Sequence, residues 1–230
     1  MSADATAATN ISITAPEQVR QQLVQCGLLL EGENVVTAGG AVANALVDDG
    51  VRAAAVLGGQ GLHEAVFARG ITVNRVDGID MHEWSDFDPT KALVLGGWPD
   101  ATLRDIESVG RLAAAGVPLY VTSIENGFPS GNGWQAGAGM IIAAAHALHE
   151  FEVIVCGKPS TRYAAAVRAL LEELRPAGSV LVVGDSQLAD IGLAHELGAR
   201  SIWLSRGHAA NLNLPVPTHT VVSLAELVNK

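Results

Sequence analysis

Short apolar runs that end in glycine, alternating with Ala- and Leu-rich stretches of helical period, do most to limit the folds open to this chain. Strands are expected over residues 53–57, 72–76, 92–95, 119–122, 153–155, 180–183 and 201–204. Helices are expected over 16–26, 41–47, 62–69, 103–115, 138–149, 161–174, 189–197 and 224–229. Strand and helix in strict turn argue for βα units around parallel sheets. The opening segment, SADATAATNISITAPEQV, is an exception, because no strongly apolar strand stands there.

Composition narrows the class of function. With 49% hydrophobic and 17% charged residues among 230, the chain reads as globular rather than disordered. Fourteen basic residues against 24 acidic ones give a formal charge of −10, and no basic stripe offsets it, so a nucleic-acid partner is not expected. No apolar run approaches the roughly 18 residues of a membrane span. The first ten residues lack the cationic and apolar regions of a signal peptide. Cys26 and Cys156 match no metal or redox spacing. Together these features predict a cytoplasmic protein with reduced thiols.

Two strand ends carry charge. FEVIVCGKPS runs from an apolar strand into Gly157, Lys158 and Pro159, and a helix follows. SVLVVGDSQLADIG repeats the plan with Gly184 and Asp185, and Asp190 lies five residues on. Ligands of parallel α/β sheets bind at the carboxyl ends of strands. A Lys and an Asp there suit a phosphate site, with Asp185 holding Mg²⁺ through oxygen and Lys158 neutralising phosphate charge. Either motif alone is most often a turn or a helix cap.

CGKPS followed by LVVGDSQLADIGLAHELGARSIWLSRG resembles the third and fourth motifs of the haloacid dehalogenase superfamily, closest to its phosphatases with a type 2 cap. Upstream, TNISITAPEQVRQQLVQCGL is similar to that branch's second motif, and nearly all of residues 9 to 230 can be laid on the pattern. The resemblance implies a Rossmann-like parallel-sheet core from residues 1–50 and 151–230 with an α/β cap inserted at 51–150. It also implies Mg²⁺-dependent hydrolysis of a small phosphate monoester through an aspartyl-phosphate. Thr9 and Asn10 would hold phosphate oxygens, Lys158 would stabilise charge, Asp185 would bind Mg²⁺, and Asp190 would support the metal site.

One part of the pattern has no counterpart. The family's nucleophile sits in an Asp-x-Asp motif on a first strand some tens of residues before the Thr-Asn pair, yet only eight residues precede Thr9. The expected core therefore lacks its first strand and the chain has little or no activity, with self-association or a partner covering the open sheet edge. The alternative is a non-catalytic phosphate- and Mg²⁺-binding protein. SDFDPT offers Asp86, Asp88 and Thr90 at the family spacing, but the Asp pair precedes its strand instead of following one, so a capped turn is expected.

Two further signals compete. Gly59 and Gly61 follow a strand and open a helix, and Asp77 ends the next strand, a nucleotide-binding pattern weakened by Glu64 at the third glycine position. His146 and His149 lie three apart on one helix, and without a carboxylate or Cys nearby they read as a surface pair.

Overall fold

The computed structural model describes residues 6–28, 34–86, 88–130, 133–174 and 180–228. The chain forms two compact units, Met1–Gly157 and Lys158–Lys230.

In the first unit, β1 (Thr6–Thr9) pairs in parallel with β2 (Asn34–Thr37), Thr6 opposite Asn34 and Thr9 opposite Thr37. Neither strand was expected, because Thr-Ala-Ala-Thr carries no large apolar side chain and its strand character comes from pairing. Helix α1 (Pro16–Gln25) starts on Pro16, whose missing N–H costs nothing in a first turn. Helix α2 (Ala38–Asp48) begins three residues earlier than periodicity suggests, because the Thr37 hydroxyl accepts from Gly40 N at 3.0 Å and caps it.

The rest of this unit is a doubly wound sheet. Its elements run β3 (Ala53–Leu57), α3 (Gln60–Phe67), β4 (Thr72–Arg75), α4 (Met81–Ser85), β5 (Lys91–Leu95), α5 (Leu103–Ala114) and β6 (Leu119–Val121). An antiparallel hairpin of β7 (Gly127–Ser130) and β8 (Gly133–Ala136) precedes α6 (Ala138–His146) and β9 (Ile154–Val155). The parallel strands lie in the order β4-β3-β5-β6-β9. Alternation sends Ala55, Leu57, Leu93 and Leu95 to one face, where Val109, Leu112, Ile141 and Ile142 of α5 and α6 cover them. Ala54, Val56, Ala92 and Val94 point the other way, onto Val42, Leu46, Leu62 and Val66 of α2 and α3. Burial on both faces explains why AAAVL and ALVL read as unbroken apolar runs rather than alternating ones.

The second unit has its own sheet. Helix α7 (Thr161–Leu174) leads to β10 (Leu181–Gly184), and after a wide turn at Gln187–Ile191 come α8 (Gly192–Leu197), β11 (Arg200–Leu204), β12 (His219–Val221) and α9 (Ala225–Val228). The three strands are parallel in the order β10-β11-β12. The helix expected from Ala189 starts instead at Gly192, because the N–H groups of Asp190 and Ile191 both bond to the Ser186 carbonyl, at 2.8 and 3.3 Å, and open the first turn to π geometry. Asn229 of the last expected helix lies outside the described residues. No helix among the described residues is long and apolar enough to cross a membrane.

Candidate active site

Lys158, Asp185 and Asp190 all lie in the second unit, and the fold ties two of them together directly. Lys158 Nζ donates to Asp190 Oδ1 at 2.6 Å, with the two side chains only 10% and 13% exposed. The other Asp190 oxygen accepts from Ser186 N at 3.0 Å. Thus a carboxylate expected to support a metal spends its oxygens on holding a lysine and a loop. The Ser186 hydroxyl accepts from Ala189 N at 3.0 Å and closes the turn that carries Asp190.

Close packing makes this pair reachable. A Cβ on Gly184 would lie 2.3 Å from Asp190 Cβ, Cγ and Oδ2, so only glycine at the end of β10 lets the carboxylate lie against the strand. The Lys158–Pro159 peptide bond is cis. Gln187 is buried and donates to the carbonyls of Asn211 and Pro215 at 3.0 and 3.2 Å, which ties the long loop after β11 to the same turn.

Asp185 follows β10 directly. The Trp203 indole donates to its carbonyl at 2.9 Å, and Arg206 Nη2 donates to its Oδ2 at 2.8 Å. The Asp185 side chain is about half exposed, as a group that meets solute ions must be. Sequence reasoning missed Arg206, although the strand-end rule that selects Lys158 and Asp185 also points to a basic residue just past β11. A half-exposed carboxylate suits Mg²⁺, which prefers oxygen, keeps several waters and takes one or two carboxylates beside substrate phosphate. It is not a complete cage: no group of three His, Cys, Asp or Glu side chains poised for a metal occurs among the described residues.

Thr9 and Asn10 belong to the first unit, at the carboxyl end of β1. Thr9 Oγ1 accepts from Ile11 N at 3.2 Å. Asn10 Oδ1 lies 2.9 Å from where a Cβ on Gly157 would stand.

The competing motifs have structural explanations. A Cβ on Gly61 would lie 2.1 Å from the Thr14 backbone carbon, and one on Gly59 would lie 2.6 Å from Ile13 Cα. Gly61 N also donates to the Ile13 carbonyl at 2.9 Å. The space a dinucleotide pyrophosphate would need at these glycines is filled by the chain's own residues 13–15. Asp88 accepts from Thr90 N at 2.9 Å and from Thr90 Oγ1 at 2.7 Å, bonds that hold its carboxyl below the usual range, so Asp88 caps a turn before β5. His146 stacks on Phe151 with ring centroids 4.0 Å apart.

A cleft of about 150 Å³ opens at the carboxyl ends of β3, β4 and β5, the switch point of the five-stranded sheet, and Trp98 and His63 line it. Two of its acids are already engaged: Asp77 with Arg75 at 3.1 Å, and Asp105 with the Thr102 hydroxyl at 2.7 Å.

Comparison with known proteins bears out the resemblance. A HAD-hydrolase-like family model matches residues 155–227, the stretch that carries Lys158, Asp185 and Asp190. A hypothetical protein from Pyrococcus horikoshii superposes with a TM-score of 0.80 at 25% identity, over 97% of this chain and 85% of that one. A 4-nitrophenylphosphatase from Thermotoga maritima does so with a TM-score of 0.76 at 22% identity, over 96% and 82%. A glycerol phosphate phosphatase from Mycobacterium tuberculosis, in complex with calcium, gives 0.72 at 22%, over 93% and 62%. No curated protein sequence matches. The chain is a mixed α/β protein with the haloacid dehalogenase fold.

Proposed function

We propose that this chain binds a small phosphorylated molecule together with a divalent cation, Mg²⁺ by preference, and that the 230 residues as they stand hydrolyse phosphate esters slowly or not at all. The observation that supports this most is the buried Lys158–Asp190 pair, whose acid also accepts from the N–H of Ser186, the residue after the half-exposed Asp185. Asp190 fixes the ammonium of Lys158 in place, and an ammonium held there is suited to a phosphate oxyanion. Asp185 is the metal ligand in this reading, and a bound cation would polarise phosphoryl oxygens as a Lewis acid. Thr9 and Asn10 are assigned to phosphate oxygens on the resemblance alone. A core of residues 1–50 and 151–230 with a cap at 51–150 is part of the same proposal.

The low expected turnover follows from what the residues offer as a nucleophile. Asp86-x-Asp88 is the one Asp-x-Asp in the sequence, and Asp88 is committed to its turn. Calorimetric titration with inorganic phosphate should show binding that strengthens when Mg²⁺ is added, and Asp185→Asn should remove the gain. Phosphate binding indifferent to Mg²⁺ in the unaltered chain would sink the reading.

Self-association belongs to the proposal as well. Among the described residues β10 ends its three-stranded sheet, with Leu181 and Val183 each about half exposed, and apolar sheet edges attract further strands. Sedimentation velocity should show a concentration-dependent dimer; a monomer at all concentrations would contradict it.

A further inference from the structure

Arg206 is the one non-glycine residue with positive φ among the described residues, at 51°. Left-handed backbone costs a residue with a Cβ on the order of 1–2 kcal/mol, so the turn around it must hold it there. Ser205 N and Ser205 Oγ both donate to the Val221 carbonyl, at 2.9 and 3.2 Å, and His208 N donates to the Ser205 carbonyl at 2.9 Å. The result is a guanidinium laid over the end of β10, with Nη2 at 2.8 Å from Asp185 Oδ2. Meanwhile the Trp203 indole holds the Asp185 backbone from below. The acid is thus fixed at two points by β11 and the turn that follows it.

We propose that Arg206 is a resident counter-cation of Asp185, competing with the divalent metal for that carboxylate and setting how much metal the site requires. The inference rests on the reading of Asp185 as a metal ligand. Without metal each acid has a cation against it, Lys158 at Asp190 and Arg206 at Asp185. A metal that takes Asp185 must displace the guanidinium, and its apparent affinity is lowered by the strength of the pair it breaks. Both side chains are more than half exposed, at 65% and 53%, so the pair is screened and the competition is modest.

The test is calorimetric titration of the full chain with Mg²⁺, with Arg206→Gln and Asp185→Asn beside it, plus ¹⁵N relaxation of the Arg206 side chain in metal-free protein. Arg206→Gln should bind Mg²⁺ about two- to five-fold tighter, the range expected for removing an exposed ion pair. Asp185→Asn should free the Arg206 side chain. Equal or weaker Mg²⁺ binding by Arg206→Gln, with the unaltered chain binding normally, would overturn the competition and leave Asp185 as a ligand. No Mg²⁺ binding by either protein, with Asp185→Asn still freeing Arg206, would overturn the metal reading and reduce Arg206 to a structural counter-ion. An Arg206 side chain equally mobile in the unaltered and Asp185→Asn proteins would overturn the proposal at its first step.

Discussion

Lys158→Met is expected to destabilise the unit that begins at Lys158 by about 3–5 kcal/mol, the usual cost of removing one partner from a desolvated ion pair. The side chains of Lys158 and Asp190 are about nine-tenths buried, and the substitution leaves the Asp190 carboxylate with a single backbone donor, Ser186 N. Methionine fills most of the volume of the lysine stem, so the loss is electrostatic rather than a cavity. Denaturant unfolding of the full chain, followed by the backbone amide signals of β11, reads the transition of this unit. The double substitution Lys158→Met with Asp190→Leu should recover most of the loss, because a buried charge pair replaced on both sides is often close to neutral in stability. A double-mutant cycle that gives less than about 1 kcal/mol would mean that the pair behaves like an exposed one.

Why the sequence showed some of this and hid the rest is a matter of range. AAAVL and ALVL were legible as strands because both faces of the five-stranded sheet are covered by helices, which favours apolar residues at successive positions. Lys158 and Asp185 were legible because each follows a glycine at a strand end, a local signal. The Lys158–Asp190 bond spans 32 residues and leaves no periodic trace. Thr-Ala-Ala-Thr became β1 only through its pairing with β2, and the hairpin strands Gly127–Ser130 and Gly133–Ala136 carry Gly, Pro and Ser that read as loop. Gly59 and Gly61 gave the right physical signal, a backbone in need of close approach, but the approaching group is the chain's own Ile13–Ala15 rather than a ligand. Arg206 was hidden by its backbone: an arginine before Gly207 reads as an ordinary turn until its φ is known.

Enzymes supply roughly 10⁶-fold or more over the uncatalysed reaction, and in covalent phosphate hydrolysis an activated nucleophile carries the first bond-forming step. In the proposed reading Lys158 and Asp185 hold an anion and a cation and none of the three is the nucleophile: Asp190 is bonded to Lys158 and Ser186, and Asp185 to Arg206. The direct measurement is release of p-nitrophenol from p-nitrophenyl phosphate by the 230-residue chain in Mg²⁺, beside Asp185→Asn under the same conditions. The account predicts that the two proteins give the same rate, at the level of protein-free buffer. Metal-dependent release by the unaltered chain that disappears in Asp185→Asn would contradict it.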